Sequence, residues 1–386
     1  MTAPGEKPYR VYRGGRTRGK VPLSGRDGKA DTTHDDGGTG RSRWTWKRWL
    51  LVAVPVLLVL LVIWAFAGYL SVRSGVSAAQ RRLPAGTAAA LTKKNGLILS
   101  SPTNILLLGT DHSTNGQPGR SADEHSDSMM LLRTDPSRHR LVYLSIPRDL
   151  RATIPGYGDQ KINAAMQIGG PKLAIQTVEQ FTGLPVHHVV VVDFGAFEKL
   201  IDAIGGVDVN VPENILSNRF DCPYSTQARC AQWQGWRFHK GLQHMTGHEA
   251  LIYSRVRENR LNPADTDVTR GEHQQQVMQA ALSKLASVST FFKLPLDGST
   301  LLAPIATDLS TWDFMQLGWV KFRAGTTLHC RLGGTAADIG GASYIIGTQE
   351  NISVIQEVLG NSAPQPPAPG EGAYAPGCVT GNQQFR

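Results

Sequence analysis

NILLLGTD, residues 104–111, runs four large apolar residues together (Ile105 to Leu108) and then reaches a carboxylate within three positions. An apolar run without polar alternation marks a strand covered on both faces. Met129 to Leu132, Leu141 to Ile146 and Val189 to Val192 repeat the pattern. Helical signals lie between and after these runs. Leu173 to Phe181 stops at Gly183, and Phe197, Leu200, Ile201 and Ile204 share one helical face ahead of Gly205 and Gly206. Thr246, Gly247, His248 and Glu249 form a capping-box pattern that opens another helix. Strands interleaved with helices predict a three-layer α/β/α sandwich over residues 101–360, a length that supports a substantial core.

Upstream, the chain changes character. From Trp49 to Leu70 it is uncharged and nearly all apolar (WLLVAVPVLLVLLVIWAFAGYL). At a rise of 1.5 Å per residue this is about 33 Å of helix, enough for one membrane crossing. Trp49, Trp64 and Tyr69 occupy interfacial positions, and Pro55 is tolerable inside a membrane helix. A secretory signal has a shorter apolar part and a small-residue cleavage site, which residues 65–68 (AFAG) imitate only weakly. The segment therefore reads as an uncleaved anchor.

Residues 1–48 hold a dozen Lys and Arg, ending in Arg41, Arg43, Lys47 and Arg48, against Arg73, Arg81 and Arg82 on the far side. That asymmetry predicts a cytoplasmic N-terminus, a stalk over 71–100 and an extracellular domain. The basic tail supplies most of the formal charge of +9. It lacks apolar periodicity, so it reads as a disordered arm that sets topology and touches anionic lipid, with no nucleic acid as partner.

All four cysteines, Cys222, Cys230, Cys330 and Cys378, follow the anchor, where disulfides persist. Four cysteines allow three pairings. The expected one joins Cys222 to Cys230 and Cys330 to Cys378. No CxxC spacing supports zinc. Residues 361–386, rich in Pro and Gly, are expected to be a flexible tail.

The charged residues carry the chemistry. Asp111 and Arg148 each follow an apolar strand, the end of an open α/β sheet at which ligands bind. Asp127 precedes the strand SMMLL. In YSRVR, taken as extended, Arg255 and Arg257 would point to one side. Asp267 and Arg270 open a Gln-rich helix. Guanidinium forks and carboxylates together suit a phosphate or pyrophosphate with a divalent metal. His244 and His248 lack the Glu of a metalloprotease motif, His187 and His188 read as structural, and the glycines of residues 333–343 read as turns.

Six strings taken together resemble the LytR-CpsA-Psr family: NILLLGTD (104–111), SDSMMLL (126–132), SIPRDLRATIPGYGDQKINAA (145–165), FEKLIDAIGGVDV (197–209), YSRVR (253–257) and DVTRGEHQQQV (267–277). The resemblance implies a membrane-anchored enzyme that moves a glycopolymer from a polyprenyl-pyrophosphate carrier onto peptidoglycan with the aid of magnesium. It implies pyrophosphate binding by Arg148, Arg151, Arg255, Arg257, Arg270, Lys161 and Gln274. Asp111 and Asp127 are implied as metal ligands, and Asp127, Asp267, Arg148 and Arg255 as catalytic residues. The polyprenyl chain is implied to lie in an apolar tunnel.

These residue types suit phosphoryl transfer, which needs positioning and charge neutralisation more than covalent work by the protein. Asp267 or Asp127 is expected to take the proton of the acceptor hydroxyl. Two positions depart from the common pattern: His125 and His273 stand where many members carry arginine. A histidine there predicts weaker or pH-dependent phosphate binding, with Arg120 placed to compensate. A hydrolase of the same pyrophosphate and a non-enzymatic envelope scaffold are the alternative functions.

Overall fold

The computed structural model describes residues 46–110, 126–262, 267–285, 287–368 and 374–381. The chain divides into two units, Met1–Pro55 and Val56–Arg386. Of the first, the described part is the opening of helix α1 (Trp46–Arg82). Strands β1 (Thr103–Thr110), β2 (Ser126–Asp135) and β3 (Arg140–Ile146) follow one another, then the hairpin of β4 (Arg151–Ile154) and β5 (Gly158–Lys161). Helix α2 (Ala164–Thr182), β6 (His188–Asp193), α3 (Phe194–Ala203), β7 (Val207–Val211) and β8 (Ile215–Leu216) come next. They lead to α4 (Gln227–Gln232), β9 (Arg237–Phe238), β10 (Gly241–Met245) and α5 (Gly247–Arg255). The remainder holds α6 (Asp267–Leu285), α7 (Val288–Leu301), β11 (Ile305–Thr307), α8 (Thr311–Arg323) and β12 (Thr326–Arg331). It closes with the hairpin β13 (Gly334–Ile339) and β14 (Ala342–Gly347), then α9 (Glu350–Leu359) and β15 (Gly377–Thr380).

Seven strands form the central sheet in the order β11-β6-β1-β2-β3-β12-β15. The β1–β6 and β3–β12 pairs are parallel and the other neighbours antiparallel. Every residue of β1 is buried, because successive side chains serve opposite faces. Ile105 and Leu107 enter one apolar cluster, with Ile201 of α3, Tyr253 of α5, Val277 of α6, Leu301 of α7 and Val320 of α8. Leu106 and Leu108 enter the other, with Ile175 and Val178 of α2 and Val354 and Val358 of α9. Across the sheet Leu106 meets Leu131, which meets Leu144, all three fully buried. The result is the expected mixed α/β architecture with helices on both faces. It is not a simple βα alternation, since β1, β2 and β3 form an antiparallel meander.

The two disulfides are Cys222–Cys230 and Cys330–Cys378, with Cα atoms 5.8 and 4.0 Å apart. The second corrects the expectation for the tail. Residues 377–380 form β15, an edge strand of the central sheet, and Cys378 is the register partner of Cys330. The Pro and Gly content before it suits an extended approach, while Cys378 and Val379 are buried. The glycines of residues 333–343 make the β13–β14 hairpin. Gly340 and Gly341 both take positive φ (64° and 82°), as a two-residue turn between right-twisted strands requires.

Helix α1 is long and apolar enough to cross a membrane, and it continues past Leu70 to Arg82 instead of giving way to a stalk. Its C-terminal turns pack on the domain. A Cβ on Gly75 would lie 2.9 Å from the Ser299 Cα, and one on Gly298 would lie 3.0 Å from the Ser71 Oγ. The two glycines thus let α1 and α7 approach backbone to backbone. The Arg82 guanidinium donates to the carbonyls of Leu302 (2.7 Å) and Ile305 (3.0 Å).

Candidate active site

The end of β3 runs through Pro147 into Arg148 and Asp149. The Asp149 carboxylate accepts from the Arg148 Nε at 3.3 Å and from the Lys161 Nζ at 2.7 Å, one oxygen to each. Lys161 gets there because β4 and β5 fold back as a hairpin that brings the last residue of β5 beside the start of the loop. The Ile162 amide donates to the Leu150 carbonyl (2.8 Å) and the Asn163 amide to that of Arg148 (3.2 Å). The Tyr344 ring lies 5.6 Å below the Lys161 ammonium. Two cations implied in pyrophosphate binding are thus fixed by one acid that sequence reading passed over. Its signal was present, since Asp149 follows Arg148 directly.

Arg151 is the register partner of Lys161 across the β4–β5 hairpin. It pairs with Asp159 (3.2 Å) across the hairpin and lines a groove of about 670 Å³ with Phe181 to Leu184 and residues of α9. Neither Arg148, Lys161, Arg255, Arg257, Arg270 nor Gln274 lines that groove.

Helix α5 starts at the Thr246 capping box, where the Glu249 amide donates to the Thr246 hydroxyl (3.3 Å) and the Thr246 amide to the Glu249 carboxylate (2.9 Å). It ends at Arg255. The reading of YSRVR as extended is therefore corrected: Tyr253 to Arg255 are helical, and chain direction changes at Val256, so Arg255 and Arg257 do not share the side of a strand. The buried Tyr253 explains the difference, because it belongs to the apolar face of α5 and donates to the Gln276 Oε1 of α6 (2.6 Å). Arg255 pairs with Asp221 and lies 5.9 Å from the Phe220 ring. Asp221 adopts a positive φ of 47° next to Cys222, so the first disulfide loop supports the carboxylate that orients Arg255. Arg257 is exposed. We predict that Thr246→Ala costs about 1 kcal/mol of stability by removing the cap. Denaturant unfolding measures it, and an unchanged midpoint would refute the cap's role.

Helix α6 carries Asp267 as its first residue, buried Arg270 and half-buried Gln274. Asp111, Arg120 and His125 lie outside the described residues, as do the side chains of Asp127 and Asp267, whose backbones open β2 and α6. At the end of β6, Asp193 stands beside Thr110 in register, one position before Asp111. It is an acid that the sequence reading left out.

His273 does not present itself to a phosphate. It is buried on the inner face of α6, its ring 4.3 Å from that of Tyr253, and burial pushes its pKa down to about 3 against a hydrogen bond with the Val256 backbone. The pH dependence it confers falls on stability instead. In the unfolded chain an imidazole takes up a proton near pH 6.5, whereas the folded one stays neutral, so stability declines as pH falls from about 6.5 toward 3. Between pH 7 and 5 the wild type should lose about 2 kcal/mol more than His273→Phe. Denaturant unfolding at the two pH values checks this, and parallel losses would contradict it.

Arg331, also missed, ends β12. Its Nη1 lies 2.6 Å from the Glu272 Oε1 of α6, and its Nη2 donates to the Ala375 carbonyl (2.9 Å). It ties α6, β12 and the C-terminal segment together beside the second disulfide. His187 and His188 are structural, as expected. The Asn104 amide donates to His187 (2.9 Å), and His188 pairs with Asp308 (2.7 Å). His244 and His248 face different acids, Asp208 and Glu198.

Known proteins share these motifs and this fold. TagU of Oceanobacillus iheyensis, a polyisoprenyl-teichoic acid–peptidoglycan teichoic acid transferase, is 33% identical over 68% of this chain and 77% of its own. TagV of Bacillus subtilis, a transferase of the same description, is 34% identical, and that match spans 50% of this chain and 46% of TagV. The structure of TagT with bound octaprenyl pyrophosphate lipid superposes with a TM-score of 0.51 at 25% identity, covering 71% of this chain and 95% of TagT. The LytR_cpsA_psr family matches residues 73–360. The motifs, the sheet that carries them and this match together show that the chain belongs to the LytR-CpsA-Psr family.

Proposed function

We propose that this chain is a phosphotransferase on the outer face of the cell membrane, moving a glycopolymer from a polyprenyl-pyrophosphate carrier onto peptidoglycan. The observation that carries the reading is the Asp149 clamp, one carboxylate holding Arg148 and Lys161 at the end of β3. It supports the reading because a family relative, TagT, has been solved with octaprenyl pyrophosphate on the same fold.

In the reaction the acceptor hydroxyl of peptidoglycan attacks the phosphorus next to the glycan. A new P–O bond forms, the bridging P–O bond of the pyrophosphate breaks, and polyprenyl phosphate leaves. Arg148, Lys161, Arg255, Arg257 and Arg270, with Gln274, hold the pyrophosphate and offset the charge that gathers on its leaving half. Arg151, beside Lys161 in register, adds a further guanidinium on that hairpin and also lines the groove. The proton of the acceptor passes to Asp267 or Asp127.

Magnesium fits the donor types. Asp111, Asp127 and Asp193 offer the hard oxygens it prefers and would hold it where β1 and β6 end and β2 begins. When bound, it would neutralise pyrophosphate charge. The polyprenyl chain belongs in the apolar layer between the sheet and α3, α5, α6, α7 and α8, because Arg255 and Arg270 lie on two helices of that layer.

The test combines the full-length chain in detergent with magnesium, a polyprenyl-pyrophosphate-linked glycan and a peptidoglycan fragment. Mass spectrometry should find the glycan joined to the fragment through one phosphate. Intact substrates after prolonged incubation would contradict the proposal.

A further inference from the structure

Helix α8 carries a second apolar face. Trp312, Met315, Trp319 and Phe322 are 55%, 52%, 53% and 78% exposed. Their spacings of three, four and three place them within an arc of about 80° on a helix of 3.6 residues per turn. The inner side is already used: Val320 is buried and Phe314 and Leu317 pack on the apolar cluster. Trp319 and Phe322 stand with ring centroids 5.8 Å apart, and exposed Arg323 flanks the stripe. A contiguous aromatic stripe of this kind marks a surface that meets another apolar phase.

Where α8 lies identifies that phase. The Gln80 side chain of α1 donates to the carbonyls of Asp308 (3.4 Å) and Leu309 (3.0 Å), directly ahead of the N-cap residue Ser310. Leu70, the end of the apolar span, is ten residues earlier on the same helix, about 15 Å away. From there α8 crosses the end of the sheet where its parallel strands begin. Asp308 binds His188 at the start of β6, the Leu99 amide ahead of β1 donates to the Gln316 side chain (3.4 Å), and the Gly325 amide donates to the His139 carbonyl ahead of β3 (2.9 Å). Tryptophan and phenylalanine with a flanking cation are the side chains that membrane interfaces favour. Because α1 tethers the domain, this contact needs no encounter from solution.

We infer that the Trp312–Met315–Trp319–Phe322 face of α8 rests on the outer leaflet of the bilayer that holds α1, as an interfacial helix. The inference rests on the reading of α1 as the membrane anchor. In that posture the opposite end of the sheet, with Asp193 and the Arg148–Asp149 clamp, points away from the bilayer toward the wall.

The test places the full-length chain in nanodiscs of ordinary lipid and of lipid brominated near the headgroup end of the acyl chains, which quenches tryptophan emission at that depth. The emission lost on making Trp312→Phe/Trp319→Phe isolates these two residues, and bromination should abolish most of that emission. Emission left in the double variant includes Trp49 and Trp64 of α1, so its quenching reports anchoring separately. Quenching of α1 without quenching of the Trp312 and Trp319 share would overturn the inference and leave the anchor intact. No quenching of either would overturn both. Trp312→Phe and Trp319→Phe singly give the same reading if the pair does not fold.

Discussion

Arg255→Ala is expected to lower glycopolymer transfer by about 10² to 10³ in kcat, the effect of removing one preorganised charge donor from a developing anionic centre. The fold should survive the change, because Arg255 is the last residue of α5 and its partner Asp221 remains solvated. Two controls separate orientation from charge. Asp221→Asn leaves the guanidinium in place without its ionic partner and should cost less than the arginine itself. Arg255→Lys keeps the charge but loses the planar fork, so it should recover only part of the rate. Equal activity in Arg255→Ala and wild type would remove Arg255 from the site.

Glu272→Ala is expected to destabilise the protein by about 3 kcal/mol, since breaking a buried ion pair from one side leaves the other charge uncompensated. The value sits at the low end of the usual range because the Glu272 side chain keeps some exposure while Arg331 is buried. Activity should fall with it, as Asp267, Arg270 and Gln274 lie within five residues of Glu272 on α6. Glu272→Gln should recover part of the stability through its amide oxygen. Denaturant unfolding measures the loss, and a change below about 0.5 kcal/mol, the usual span for surface substitutions, would place the pair among surface contacts.

The strands of the sheet were legible because burial on two faces imposes an apolar run that little else requires, as in Ile105 to Leu108. The start of α5 was legible because Thr246 and Glu249 satisfy backbone groups locally. Its end was not, since Arg255, Val256 and Arg257 alternate polar and apolar as a strand would, and the packing of Tyr253 on α6 decides for helix. β15 was hidden by the Pro and Gly preceding it, although Cys378 pointed there. His273 was expected to meet phosphate because it stands where many family members carry arginine, and no local pattern reveals that it turns inward onto Tyr253. Asp221 was missed because it acts through Arg255, 34 residues away, and such pairing is set by tertiary geometry.

In the proposed reaction an acceptor hydroxyl, not water, attacks the carrier-linked phosphate. This is tested most directly by running the reaction of the full-length chain in H2(18)O and reading the products by mass spectrometry. The expected products are glycan joined to peptidoglycan through a phosphate free of heavy oxygen, together with unlabelled polyprenyl phosphate. Free phosphorylated glycan or polyprenyl phosphate carrying heavy oxygen, with no joined product, would contradict attack by the hydroxyl and make the chain a hydrolase.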